Sequence, residues 1–179
     1  MDKFKSTVFN RTNLLMKELL KQYASYNVWA NQRISEIILS LPEEKQQAEV
    51  VSSFPSLYKT ALHIWDAESG WWQRVKMQER VVFPRDSFSG SMRDLLTGII
   101  NQSKQWEDWV QNASELSLRH VFHFHNSKKE LFKQPVFQVL LHVFNHSTYH
   151  RGQLVTILRQ LGIDKLPPLD FIIWIRQQK

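Results

Sequence analysis

Apolar side chains recur every three to four positions across residues 12 to 40 and the Leu41 that follows: Leu15, Leu19, Tyr23, Tyr26, Ala30, Ile34, Ile37, Ile38 and Leu41. That period is the signature of an amphipathic helix, and Pro42 ends it, because a proline inside a helix removes a hydrogen bond and collides with the preceding turn. After a polar segment, Pro55 sits just inside a second helical run, where its missing N–H is harmless. This run extends to about Gln78 and carries Ala61, Leu62, Trp65, Trp72 and Val75. A loop with Pro84 and Gly90 follows, and Ser91-x-x-Asp94 forms a capping box opening a third helix through about Asn112, with Trp106, Trp109 and Val110 inward. From Leu118 the residues nearly alternate and are rich in aromatic and β-branched types, which predicts a strand. Asn126 to Lys129 turn it, and Glu130 to Lys133 return it as a hairpin. Pro135 opens a fourth helix to about Leu161, ended by Gly162, and residues after Pro167-Pro168 form a last short amphipathic turn. Four long helices joined in this way predict an all-α bundle with a small β-hairpin inserted before the last long helix.

At 179 residues, the chain suits one domain spanning 1–179 that buries a continuous core without covalent staples. Seven Trp and eleven Phe point to an aromatic-rich interior or a lined cavity. Zero cysteines exclude disulfides, thiolate nucleophiles and thiolate-bound zinc, leaving His, Asp and Glu as the strong metal ligands. No stretch approaches the roughly 18–20 apolar residues that span a bilayer, so no membrane association and a cytoplasmic location are expected. The net charge of +6 is dispersed, with Lys128-Lys129 the one adjacent lysine pair, unlike the clustered footprint of nucleic-acid binders. No dedicated nucleic-acid binding is expected, and the partner class is a small molecule.

The chemistry concentrates between residues 141 and 154, where His142, His146 and His150 recur at intervals of four. Residues so spaced share one helix face, about 5–6 Å apart at Cβ, so two imidazoles can grip one ion. Two ligands hold a metal loosely, and a catalytic site of the zinc type uses three protein ligands plus an exchangeable position. His63, amid Leu62, Ile64 and Trp65 on the apolar side of the second helix, is the candidate third ligand; the alternative is a histidine satisfied within the core. His120, His123 and His125 on the predicted hairpin read as a solvated strand edge.

The strings YNVWAN (26–31), LHIWDAESGWWQRV (62–75), LLHVFNHSTYHRGQL (140–154), LRQLG (158–162) and DFIIWIR (170–176) resemble the DinB family in order and spacing. The most specific element is Asn-His-x-x-x-His-Arg-Gly-Gln, here Asn145 through Gln153. The resemblance implies an up-down-down-up four-helix bundle, often homodimeric, with a divalent metal on His63, His146 and His150. Zn²⁺ or Ni²⁺ suits an all-imidazole shell, with Fe²⁺ or Mn²⁺ as further options. It also implies a metal-dependent hydrolase or a thiol-dependent S-transferase, since related subgroups resemble enzymes using low-molecular-weight thiols such as bacillithiol or mycothiol. The alternative is a non-catalytic stress-response protein that keeps the metal for stability. Around the ligands, His142, one turn before His146, reads as packing or a hydrogen-bond partner, with a fourth ligand as the alternative. Asn145 and Gln153 either orient an imidazole or bond on the helix surface, Arg151 meets an acidic group or an anionic substrate, and Asp66 accepts a proton from a ligand or lies exposed. Tyr26 and Trp65, with Trp29, Trp71 and Trp72, either line a pocket over the metal or fill the core.

Overall fold

A computed structural model describes residues 2–126 and 128–178, with side chains from Leu14 onward apart from residues 127 and 179. Its elements are α1 (Asp2–Leu39), α2 (Glu43–Gln47), α3 (Leu57–Val75), α4 (Met92–Asn112), α5 (Glu115–Arg119), β1 (Val121–His125), β2 (Leu131–Pro135), α6 (Val136–Gln160) and α7 (Phe171–Arg176). A single 3₁₀ turn, Pro84–Asp86, lies in the loop before α4.

The direction of each long helix follows from which residues share a core. One end of the bundle gathers Ile34 and Ile38 from the end of α1, Leu57 and Ala61 from the start of α3, Leu95 and Leu96 from the start of α4, and Ile157 and Leu158 from the end of α6. The other end gathers Leu20 and Ala24 of α1, Trp72 and Val75 of α3, Trp106 and Val110 of α4, and Val136 and Leu140 of α6. The course is therefore up, down, down, up, as the resemblance implies. Each long helix packs mainly against two others, α1 and α3 lying diagonally opposite, as do α4 and α6.

Local chemistry sets the boundaries. Ser91 caps α4, its hydroxyl accepting from the Asp94 N–H while the Asp94 carboxylate accepts from the Ser91 N–H at 3.0 Å, so the capping box read from the sequence is present. At the start of α3 the expectation shifts by two residues. Ser56 is the N-cap, accepting from the Lys59 N–H at 3.0 Å, and Pro55 stands outside the helix. A hydroxyl that satisfies an orphan donor fixes the boundary more firmly than a proline that merely tolerates it. Gly162 ends the last turn of α6 at φ +82°, where a β-carbon would be strained.

Three further expectations change. α1 begins at Asp2, ten residues before the apolar period, and Leu15 and Leu19 stay exposed at 71% and 52%, because the neighbouring stripe of Met16 and Leu20 is the one that enters the core. Residues 43–47 form the short helix α2. Leu118 belongs to α5, capped by Ser114, and the strand starts only at Val121, so the apolar Leu118 is a buried helical anchor. The hairpin pairs β1 with β2 antiparallel, Phe122 opposite Gln134 and Phe124 opposite Phe132. Phe122 enters the lower core, while Val121, His123 and His125 face out.

Candidate metal centre

His146 and His150 lie one turn apart on α6, and His63 lies on α3, the neighbour packed against that face. One nitrogen from each ring falls within 4.8 Å of those of the other two, the group of potential ligands that stands out among the described residues. The ring of His63 is 4.5 Å from that of His150 and 5.0 Å from that of His146, centre to centre. No carboxylate enters the cluster.

Proton positions follow from the hydrogen bonds. The Nδ1 of His150 lies 2.7 Å from Oε1 of Gln153. Because that oxygen can only accept, Nδ1 carries the proton and the Nε2 lone pair is left facing the centre. The His150 Nε2 lies 3.1 Å from the His146 Nε2, so two nitrogens able to act as lone-pair donors confront each other. Tetrahedral coordination at 2.0–2.1 Å sets ligand nitrogens roughly 3.4 Å apart, close to what this pair already presents. The Nδ1 of His146 is buried without a hydrogen-bond partner among the described residues.

The site resists positive charge on its own rings. Burial, then repulsion from His150 and from Arg85, pushes His63 down to about 4. Burial, then His150, His63 and His142, pushes His146 down to about 4. The rings are thus neutral near pH 7, the protonation state a cation requires of its imidazole ligands. Three neutral imidazoles converging on one point, each able to present a lone pair in the appropriate tautomer, fit a divalent ion.

The surroundings differ in part from the expectations. Phe54, in the loop before α3, stacks on His63 at 4.2 Å and meets His150 edge-on at 5.7 Å; it shields one side of the cluster, and no spacing rule in the sequence pointed to it. His142 is exposed, 5.6 Å from His146 ring to ring, and stands outside the three-nitrogen group. Asn145 is exposed on α6. Asp66 is buried and accepts from the Arg85 N–H at 3.0 Å and its guanidinium at 3.2 Å, outside the three-nitrogen group; burial still raises its pKa, against the pull of Arg85. Trp65 does not line the site. Two residues beyond His63, it points some 200° round the helix and packs on Gly98 and Phe88. Tyr26 is also elsewhere, donating to the Leu169 carbonyl at 2.7 Å and packing on Phe171 and Trp174.

Arg151 and Glu68 lie on a different, inward face of the same two helices, fully inside the bundle. One Glu68 oxygen accepts from Asn27 at 2.8 Å, Asn31 at 3.3 Å and Ser147 at 2.9 Å, and the other accepts from Ser103 at 2.7 Å. Arg151 donates to the amide oxygens of Asn27 at 2.6 Å and Asn31 at 2.9 Å and to Thr148 at 2.8 Å. The two asparagines therefore relay between carboxylate and guanidinium, and one network ties α1, α3, α4 and α6 together at mid-height. Burial pushes the Glu68 carboxyl up, opposed by its donors and by Arg151. The sequence carried a signal for this network, Asn27 and Asn31 one turn apart in an apolar helix, which spacing alone leaves without partners.

Comparison with known proteins places these features in a family. The model of the DinB family matches residues 12–177. Protein DinB of Bacillus subtilis (strain 168) is 29% identical over 166 residues, covering 85% of this chain and 91% of that protein. Among solved structures, a DinB-like protein from Bacillus subtilis superposes with a TM-score of 0.63 at 13% identity, over 83% of this chain and 98% of that one. YfiT from Bacillus subtilis, described as a probable metal-dependent hydrolase with an unusual four-helix bundle topology, gives a TM-score of 0.63 at 14% identity, over 81% and 89%.

Proposed function

Because this chain belongs to the DinB family, we propose that it is a metal-dependent enzyme holding one divalent cation on His63, His146 and His150, and that it transfers a group to water or to a small thiol. The observation that carries this reading is the convergence of three imidazole nitrogens from two helices within 4.8 Å. Zinc or nickel suits the all-nitrogen donor set. The description of YfiT as a metal-dependent hydrolase supports the water branch. The thiol branch rests on the resemblance together with the absence of cysteine, which obliges the protein to take sulfur from a cofactor such as bacillithiol.

A cation on three neutral imidazoles keeps its full charge and supplies Lewis acidity, the property that lets water or a thiol ionise near neutral pH. The chain's own residues prepare the place. Gln153 fixes the tautomer of His150, Phe54 covers His63 and keeps bulk water from that side, and Arg85, held by Asp66, adds positive potential near His63. No member of the aromatic set Tyr26, Trp29 or Trp65 takes part.

Elemental analysis of the purified protein tests the assignment. The parent is expected to carry one divalent ion per chain, and His63→Ala and His146→Ala to lose it while retaining the helical signal by circular dichroism. Metal content unchanged in both variants overturns the site.

A further inference from the structure

Arg74, further along α3 from the histidine cluster, lines a cavity at the end of that helix. His63 and Arg74 are eleven residues apart on α3, which returns them to the same face with a rise of about 16 Å. Aromatic rings connect them: His146 is followed by His142 at 5.6 Å, His142 by Trp71 at 5.3 Å, and the guanidinium of Arg74 lies over Trp71 at 4.9 Å and over Phe124 of β1 at 5.9 Å. Arg74 borders a cavity of about 740 Å³ between the end of α3, its following loop and β1, whose wall also includes Phe83, Arg85, His123 and Glu79. Arg85 is held by Asp66 at 3.2 Å, whereas Arg74 has no carboxylate in salt-bridge range among the described residues. A cation in the last turn complements the helix dipole, but that role requires neither aromatic neighbours nor a cavity beside the guanidinium.

We propose that Arg74 and this cavity form an oxyanion subsite that holds the carboxylate or phosphate end of an elongated substrate whose reacting end lies at His63, His146 and His150. The inference deepens the proposed function and rests on it for the position of the reacting end. The guanidinium lies 4.9 Å from the Trp71 ring and 5.9 Å from the Phe124 ring, contacts that use its π-face and not its N–H fork, and that fork matches a carboxylate or a phosphate. Phe83 and Phe124 supply apolar walls of the cavity, and Trp71 stands between Arg74 and His142. Glu79 is the opposing charge at the rim and restricts how much negative charge the cavity accepts.

The probes are the peptide Cys-Gly-Gly-Ser as free acid, as C-terminal amide, and as the amide with phosphorylated serine, each about 13–14 Å long when extended. Binding to the metal-loaded protein is measured by calorimetry. The free acid or the phosphopeptide is expected to bind at least tenfold more tightly than the plain amide, and whichever does so identifies the anion. Arg74→Met, which keeps the apolar stem, is expected to reduce that preference to less than twofold without weakening the amide, and Arg74→Lys to retain part of it. Melting curves of both variants show whether the fold is kept, and Arg74→Lys carries the test if the methionine variant unfolds. Equal binding of all three peptides, no measurable binding of any at millimolar concentration, or an undiminished preference in Arg74→Met overturns the subsite. Repeating the titration on chelator-treated protein separates the two readings. An Arg74-dependent preference that persists with unchanged affinity after metal removal supports the subsite while counting against thiol binding at the metal.

Discussion

Replacing Glu68 by glutamine removes one charge from the middle of the bundle while leaving volume and hydrogen bonding almost intact. With its amide oxygen placed where Asn27, Asn31 and Ser147 converge, the new NH₂ group faces Ser103, whose hydroxyl can rotate to accept it. The loss is therefore electrostatic: Arg151, fully buried and reached through Asn27 and Asn31, is left without a counter-charge. Breaking a buried pair by removing one partner costs about 3–5 kcal/mol. The relay through two amides, in place of direct contact, puts Glu68→Gln near the lower end, about 3 kcal/mol. For a chain of this size that corresponds to a fall in Tm of roughly 6–12 °C. Arg151→Met is expected to cost a similar amount or more, because it strips donors from both asparagine oxygens. In the double variant neither charge remains, so its loss is expected to fall short of the sum by about 1–3 kcal/mol. Urea unfolding of chelator-treated protein, followed by circular dichroism, measures all four corners of the cycle without a contribution from metal binding. A Glu68→Gln cost below about 1 kcal/mol together with additivity within about 0.5 kcal/mol would refute the claim that these two charges stabilise each other across the asparagines.

Gln153→Ala is expected to weaken metal binding about 10–100-fold, the usual effect of removing a hydrogen bond that orients a ligating histidine, with little change in melting temperature; competition with a chromogenic chelator measures it. Gly98→Ala is expected to destabilise the fold by about 1–3 kcal/mol through overpacking, because a β-carbon there would lie 2.5 Å from Trp65, and Trp65→Leu in the same chain should recover part of the loss. For the metal-free protein, His63 and His146 titrate near 4 when folded and near 6.5 when unfolded. The unfolded chain then binds more protons between those values, so stability is full above about pH 6.5 and falls as pH drops toward 4. Unfolding free energies at pH 7, 5.5 and 4.5 test the sign, and a rise on acidification of the parent, relative to a His63→Ala/His146→Ala control, contradicts it.

Much of the architecture was legible because it depends on short-range order. The period of three to four placed α3, α4 and α6 within a few residues, and the Ser91 and Asp94 side chains stated their capping role in the sequence. Where the expectation moved, a local competitor decided. The Ser56 hydroxyl set the start of α3 in place of Pro55, and Ser114 with Leu118 made a helical turn of a stretch whose alternation suited a strand. His63, His146 and His150 could be proposed as a set from the resemblance and their spacing, but Phe54 could not, since it reaches the rings from a loop with no period.

By itself the sequence determined that helices would form, which faces would be apolar, and that any metal would be held by nitrogen or carboxylate oxygen, because those properties belong to single residues and their near neighbours. Only the tertiary structure decided that Asp66 pairs with Arg85, that Glu68 and Arg151 share two asparagines from a third helix, and that Arg74 lines a cavity with no carboxylate in salt-bridge range among the described residues. Each depends on which helices lie side by side and at what rotation. That choice is made jointly by the two ends of the core and by one buried polar network, and no single segment contains it.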